Sequence, residues 1–184
     1  MTAVPSSDAP DREEILRVLL DAGAVRFGEF TLASGEKSDV YIDVKKAWPD
    51  PQRLSLLARA LAARAGDEDR LAGMDLGAVP LVVAVALLLG RPYVVLRKTP
   101  KEHGTRQAFE GEIPAGSRVL VLDDVATTGG STLRSVEIVR QAGGMVDRVL
   151  VVLDRQQGAA ARLGAAGVRL ETLVTLSELR GART

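Results

Sequence analysis

Short apolar runs alternate with longer amphipathic segments along most of the chain. The short runs are typical of strands buried on both faces of a parallel sheet, and the longer segments are typical of the helices that connect such strands. The predicted strands are 71–76, 91–98, 119–122, 146–153 and 168–176, and the predicted helices are 11–21, 49–65, 81–90, 132–141 and 157–167. The pattern therefore predicts an α/β fold, a mostly parallel central sheet flanked by helices, built as a single domain over residues 1–184.

Two segments depart from this alternation. Residues 25–47 alternate only loosely between apolar and polar positions and are broken at Ser34-Gly35, which indicates a hairpin or two irregular strands. Residues 98–111 are polar, contain proline and glycine, and lack periodicity, so a long mobile loop is predicted there.

Three smaller predictions concern how individual elements begin, end and pack. Residues 81–90 are apolar on all sides, which predicts a helix buried on every face. A turn is predicted at 76–80, ahead of this helix, and residues 177–184 are expected to form a short tail.

Composition and charge narrow the classes of function. Lysine and arginine number 24, as do aspartate and glutamate, so the net charge is zero and argues against a large nucleic-acid footprint. No cysteine is present, which excludes disulfides and cysteine-ligated metals. The longest uncharged run, 76–90, is shorter than the roughly 18–20 residues that span a bilayer. We therefore expect a cytoplasmic protein without a nucleic-acid or membrane partner.

The segment 119–132 places a strand, two carboxylates, a turn rich in threonine and glycine, and a helix start in direct succession. Amides at a helix start attract anions, and Gly129 and Gly130 let them converge. Hydroxyl donors are added by Thr127, Thr128, Ser131 and Thr132. This loop suits a phosphate, whereas Asp123 and Asp124 would repel one and should serve neutral hydroxyls or a metal in the same ligand. The plainer alternative is a capped helix start after a core strand.

The run DDVATTGGS resembles the 5-phosphoribosyl 1-diphosphate (PRPP) motif of type I phosphoribosyltransferases. The resemblance implies that the two aspartates hold the ribose 2- and 3-hydroxyls and that the loop holds the 5-phosphate. The PRPP-binding residues implied by the motif are Asp123, Asp124, Val125, Ala126, Thr127, Thr128, Gly129, Gly130 and Ser131.

Two further motifs resemble the orotate phosphoribosyltransferases within that family. FGEFTLASGEKS, inside 25–47, is similar to the hood that covers the base, and RKTPKEHG is similar to the mobile catalytic loop. The loop implies PRPP contacts from Arg97, Lys98, Lys101 and His103, with Lys101 and His103 as catalytic residues. By pattern alone the first motif is an ordinary hairpin, and the cations of the second are a solvated loop.

The resemblance also implies the contacts to the base. Arg155 follows the strand 146–153 and corresponds to the arginine that meets the carboxylate of orotate, with Thr127 hydrogen-bonding the base. A surface ion pair with Asp154 is the alternative for Arg155. Ala33 and Gly77 stand where many family members carry lysine, so two expected cations are missing.

The implied reaction is transfer of the phosphoribosyl group from PRPP to orotate, giving orotidine 5-monophosphate and pyrophosphate for pyrimidine synthesis. The resemblance implies Mg²⁺ held mainly by PRPP and water rather than by protein side chains, and a homodimer that shares the mobile loop between subunits. Two alternatives remain, a phosphoribosyltransferase for another base and a PRPP-sensing regulator. The hood and Arg155 argue against the first, and the balanced charge argues against the second.

Overall fold

Eight strands and six α-helices form the part of the chain that the computed structural model describes, residues 9–31, 35, 37–99 and 108–182. The strands are β1 (Val25–Thr31), β2 (Lys37–Ile42), β3 (Arg70–Met74), β4 (Tyr93–Leu96), β5 (Phe109–Glu110), β6 (Val119–Ala126), β7 (Arg148–Asp154) and β8 (Arg169–Thr175). The helices are α1 (Arg12–Asp21), α2 (Pro51–Ala62), α3 (Asp75–Leu89), α4 (Gly130–Gln141), α5 (Ala159–Ala165) and α6 (Leu176–Gly181). A turn of 3₁₀ helix, Val44–Ala47, follows β2.

The central sheet has the strand order β5-β4-β3-β6-β7-β8 and is parallel except for the edge strand β5. This confirms the predicted α/β fold with a mostly parallel sheet. The chain passes from β3 to β4 on one side, and then returns to place β6 on the other side of β3. The strand order therefore reverses between β3 and β6, and a crevice opens beyond the carboxyl ends of strands at such a point.

The segment 25–47 forms the predicted hairpin. Strands β1 and β2 pair antiparallel in a separate two-stranded sheet, with a shift of register between Phe27 and Phe30. Val25 and Val40 are buried in the main core, which fastens one end of the hairpin to the domain. No comparison tests the assignment of residues 1–184 to one domain, which stays a prediction.

The start of α3 differs from the prediction. The helix begins at Asp75, directly after β3, so the predicted turn at 76–80 is its first turn and Pro80 lies inside it. The predicted burial of 81–90 on all sides is also wrong, because Leu87 is 79% exposed and Leu76, at the start of the helix, is 82% exposed. One face of α3 packs on the core, and the other is uncovered within a single chain.

Three further boundaries differ. Strand β6 continues four residues beyond 119–122, because Val125 and Ala126 keep pairing with β7. The predicted tail after 176 begins with α6, which Thr175 and Glu178 start through reciprocal side-chain to backbone hydrogen bonds. The predicted loop 98–111 contains the short strand β5, and its residues 100–107 lie outside the described part of the chain.

Candidate active site

A cleft of about 760 Å³ opens at the carboxyl ends of β3, β4 and β6, where the strand order reverses. It is lined by Lys45, Met74, Asp75, Leu76, Gly77, Val79, Val95, Leu96, Arg97, Asp123, Asp124 and Ser131. The fold thus brings Arg97, the two aspartates and one loop hydroxyl to a common cavity. The other predicted loop residues, Val125, Ala126, Thr127, Thr128, Gly129 and Gly130, continue from β6 into α4 beside it.

Asp123 is the inner member of the acidic pair and is 8% exposed. Its Oδ2 accepts a hydrogen bond from the Thr132 hydroxyl at 2.8 Å, and its Oδ1 accepts from the backbone N–H of Asp124 at 3.0 Å. Burial, and then the neighbouring charge of Asp124, raise the pKa of Asp123 from 3.8 to about 7. The Thr132 hydroxyl therefore ties strand β6 to helix α4, and the expectation that it serves the phosphate is wrong.

Asp124 is the outer member and faces the cleft wall formed by α3. Its Oδ1 accepts from the backbone N–H of Val125 at 2.9 Å, which fixes the carboxylate. A Cβ added at Gly77 would lie 2.8 Å from Oδ2 of Asp124, closer than side chains approach. Glycine at 77 leaves the space that this carboxylate fills, so the orientation of Asp124 and the absence of a side chain at 77 are coupled.

The loop ahead of α4 is shaped by close packing against α5. Gly129 caps α4 with φ +76°, and a Cβ there would lie 3.0 Å from the backbone of Ala159. Gly129 provides no side-chain cap, so the first N–H groups of α4 are left for an anion. The geometry suits a phosphate at this helix start.

Arg155 follows β7 next to the end of β6, where its backbone N–H donates to the carbonyl of Ala126 at 2.9 Å. Its Nε is buried and has no hydrogen-bond partner in the described structure. Asp154 accepts instead from the backbone N–H of Gln156 at 2.8 Å. A buried guanidinium N–H without a partner is costly, so a ligand acceptor at this place would stabilise it.

Of the segment that resembles the catalytic loop, RKTPKEHG, the structure describes only Arg97, Lys98 and Thr99. Arg97 lines the cleft and its Nη2 donates to Glu110 at 2.8 Å, and Lys98 is exposed after β4. Lys101 and His103 lie outside the described residues, so their predicted roles are not tested; the same holds for the position of Ala33.

Sequence reasoning missed two residues of the cleft. Lys45 lines it from the 3₁₀ helix after the hairpin, and Asp75 lines it from the first position of α3. Asp75 has φ +58°, a backbone conformation that is uncommon for residues other than glycine and that clusters at functional sites. The tandem Lys45-Lys46 directly after a strand was the available signal for the first residue, and nothing in the sequence marked the second.

Within residues 9–31, 35, 37–99 and 108–182, no group of three or more histidine, cysteine, aspartate or glutamate side chains is placed to hold a metal ion. None of the helices in the same ranges has the length and apolar character needed to cross a bilayer.

Comparisons with known proteins agree with this geometry. A family model for the phosphoribosyl transferase domain matches residues 50–166. The orotate phosphoribosyltransferase of Methanocaldococcus jannaschii is 43% identical over 173 residues, covering 94% of this chain and 98% of that protein. The solved structure of the Aeropyrum pernix orotate phosphoribosyltransferase has a TM-score of 0.82 at 37% identity, covering 91% of this chain and 96% of that one. The Mycobacterium tuberculosis H37Rv orotate phosphoribosyltransferase, solved in complex with PRPP, has a TM-score of 0.76 at 34% identity, covering 93% and 99%.

Proposed function

The chain belongs to the phosphoribosyltransferase family, and we propose that it transfers the phosphoribosyl group of PRPP to orotate, giving orotidine 5-monophosphate and pyrophosphate in pyrimidine biosynthesis. The observation that carries the proposal is the cleft itself. It brings together the acidic pair and Ser131 of the anion loop, in a chain that matches orotate phosphoribosyltransferases over most of its length. Arg155 does not line this cleft; it follows the neighbouring strand β7, and its Nε is buried without a partner in the described structure.

The acidic pair and the loop divide the binding of PRPP between them. The loop amides from Thr127 to Ser131 hold the 5-phosphate, because they open a helix whose first N–H groups lack a side-chain acceptor from the cap. Asp124 accepts hydrogen bonds from the ribose hydroxyls, since its carboxylate faces the cleft. Asp123 also lines the cleft and is assigned to the ribose hydroxyls together with Asp124. It accepts hydrogen bonds from the N–H of Asp124 and the Thr132 hydroxyl, which fix Asp124 and the start of α4.

The base is held at the end of β7. The Arg155 guanidinium binds the carboxylate of orotate, since a planar fork and a carboxylate form paired hydrogen bonds and its buried Nε lacks a partner. Thr127 hydrogen-bonds the ring. A neutral purine offers no such anion, and the relatives compared above are orotate enzymes, so a purine salvage activity is not favoured. A PRPP-sensing regulator is disfavoured on the same comparisons.

Breaking the bond between ribose C1 and pyrophosphate builds positive charge on the sugar and negative charge on the leaving group. Such a step needs fixed charges and exclusion of water. We assign Lys101 and His103 to stabilise the leaving group, together with Arg97 and Lys98. The support is that Arg97, which immediately precedes their segment, lines the cleft.

Magnesium is the expected cofactor. Mg²⁺ keeps several waters and takes few protein ligands, so a cleft in which Asp124 presents a carboxylate fits a cation carried in with PRPP. When bound, the ion neutralises part of the charge that develops on the diphosphate. Omission of Mg²⁺ should abolish turnover, and full activity in the presence of a chelator would contradict this assignment.

We propose a homodimer, and the uncovered face of α3 supports it. Leu76 and Leu87 are 82% and 79% exposed on this helix, and Tyr93 on the following strand is 42% exposed. An apolar face of this kind is typical of an interface. Leu87→Asp should convert dimers to monomers in analytical ultracentrifugation, and an unchanged sedimentation coefficient would refute this interface. A cytoplasmic location stays a prediction.

Loop sharing has its own test. Mixed dimers of the inactive variants Lys101→Ala and Asp124→Asn should recover part of the activity, because one hybrid site then contains both intact residues. No recovery in mixtures that demonstrably exchange subunits would show that each loop serves its own site.

One assay tests the reaction. The absorbance of orotate should fall when PRPP and Mg²⁺ are added, and adenine, hypoxanthine and uracil should give no product. Arg155→Ala should raise KM for orotate by about ten- to a hundredfold, the range expected for a lost charged hydrogen bond, and leave KM for PRPP nearly unchanged. Turnover of a purine, or equal loss for both substrates, would refute the orotate assignment.

A further inference from the structure

Gly77 stands where the resemblance to orotate phosphoribosyltransferases implies a lysine, and a side chain at this position would meet the carboxylate of Asp124. The Cβ of any other residue at 77 would lie 2.8 Å from Oδ2 and 2.9 Å from Cγ of Asp124. Asp124 is itself held by the N–H of Val125. A lysine at 77 would therefore displace the carboxylate assigned to the ribose, so a cation for this wall has to come from another element.

Lys45 belongs to the element that touches this wall. The 3₁₀ helix Val44–Ala47 is followed by Trp48, whose indole Nε1 donates to the carbonyl of Gly77 at 3.1 Å. This hydrogen bond joins the helix to the first turn of α3. Lys45 lines the cleft together with Gly77 and Asp124, and its side chain is 51% exposed, so the ammonium is within reach of a ligand.

The charge of Lys45 is retained in this setting. Its Nζ lies 2.9 Å from Oδ1 of Asp43. The hydrogen bond to Asp43, and to a smaller degree the charge of Asp124, raise the pKa of Lys45 above its usual value. The group is therefore cationic throughout the neutral range, and it lies close enough to Asp124 to sense its charge.

The covalent structure of PRPP indicates which of its groups a cation at the position of Lys45 would contact. The diphosphate is attached to ribose C1, which is bonded to the hydroxyl-bearing C2, and C3 carries the second hydroxyl. If Asp124 holds those hydroxyls, as the proposed function states, the diphosphate lies on the neighbouring surface of the cleft. Arg97 also lines the cleft, but in the described structure Glu110 occupies its guanidinium at 2.8 Å.

We propose that Lys45 binds the diphosphate of PRPP and, after reaction, the pyrophosphate product, supplying the cation that Gly77 cannot. The inference rests on the proposed function for the identity of the ligand. Asp43 then acts as a resting partner that holds the ammonium at the rim until the diphosphate arrives.

The test compares two ligands that divide PRPP between them. Pyrophosphate with Mg²⁺ probes the leaving-group side, and ribose 5-phosphate probes the loop and the acidic pair. Lys45→Ala should weaken pyrophosphate binding by about ten- to a hundredfold in calorimetric titrations, the range expected for a lost charged hydrogen bond, and change ribose 5-phosphate binding less than about twofold. KM for PRPP should rise and KM for orotate should not, and Lys45→Arg should recover part of the loss.

Lys46 provides the matched control. It lies on the same 3₁₀ helix, but its ammonium is over the ring of Tyr41, 5.7 Å from the centroid, and it does not line the cleft. Lys46→Ala should leave pyrophosphate binding within about twofold of the wild type, whereas a diffuse electrostatic effect would weaken it as much as Lys45→Ala does.

Asp43→Asn separates ligand binding from a structural role. If Lys45 acts only by pairing with Asp43, this variant should reproduce the loss seen in Lys45→Ala, and that result would overturn the proposal. If Lys45 binds the diphosphate, Asp43→Asn should keep or strengthen pyrophosphate binding. Equal weakening of both ligands in Lys45→Ala would also overturn it. A wild-type protein that binds pyrophosphate through Lys45 but does not convert orotate would refute the proposed function alone.

Discussion

Replacing Asp123 by asparagine is expected to stabilise the folded protein, and to do so increasingly as the pH rises. The carboxyl group is buried beneath the cleft, and burial raises its pKa from 3.8 to about 7. Asparagine has nearly the same shape. Its amide oxygen can accept from the N–H of Asp124, and its NH₂ can donate to the Thr132 hydroxyl, which rotates to accept.

The direction in which stability changes with pH follows from which state, folded or unfolded, binds the proton at Asp123. Between pH 4 and 7, approximately, folded Asp123 is protonated and the unfolded residue is ionised, so unfolding releases a proton and stability falls as the pH rises. A difference of about three pH units between the two pKa values corresponds to at most about 4 kcal/mol, and the loss is complete above the folded pKa. Asp123→Asn does not titrate, so its advantage over the wild type should grow by up to this amount across the same interval.

Urea unfolding followed by the fluorescence of the single tryptophan, Trp48, at pH values from about 4.5 to 8.5 measures the difference. Asp21→Asn is the control, since it removes the same charge at an exposed position at the end of α1. A stability difference between Asp123→Asn and wild type that stays constant with pH would refute the reasoning. Asp124→Asn should weaken the pH dependence of the wild type, because it removes the neighbouring charge that also raises the pKa of Asp123.

Three further predictions concern packing in the core, the hydrogen bond to Asp123, and the ion pair between α1 and α6. Gly73→Ala should lower the free energy of unfolding by about 1–3 kcal/mol or more, because its Cβ would lie 2.5 Å from a valine carbon of α3. Gly164→Ala, which meets open space in α5, should be neutral or stabilising in the same urea titration, and similar losses would contradict the packing argument. Thr132→Val should cost about 1–3 kcal/mol by removing a donor to the buried carboxylate, so an unchanged urea midpoint would count against that hydrogen bond. Hydrogen bonding from Arg12, partly opposed by burial, holds the pKa of Glu178 at about 2 instead of 4.5. The wild type should therefore lose stability as the pH falls between these values, and Glu178→Gln should lose less over the same interval; an identical pH dependence of the melting temperature in both proteins would disprove this.

Much of the architecture was predictable because it depends on local patterns. The run at 119–122 has no polar position. This pattern is typical of a strand buried on both faces of a sheet, and the run lies at the centre of the sheet. The hairpin at 25–47 was visible from its alternation, and the family resemblance came from short motifs whose spacing survives in sequence. The start of α3 was not predictable, since Asp75 adopts a positive φ that its residue type disfavours.

The residue types of the site were predictable from the sequence, whereas the separate roles of the individual residues were not. The tandem aspartates look equivalent in sequence, yet one is 8% exposed and bonded to α4 whereas the other faces the cleft. Lys45 and Gly77 are 32 positions apart in the chain, and the hydrogen bond from Trp48 to Gly77 joins the elements that carry them.

Local sequence patterns were sufficient to assign the α/β class, the order of most elements and the chemical nature of the anion loop, because periodicity and backbone preference act over a few residues. Only the packed fold shows which carboxylate is buried and has a raised pKa, which face of α3 stays uncovered, and which lysine lies near Asp124. Desolvation and charge proximity are properties of groups that the fold brings together, and sequence separation carries no information about them.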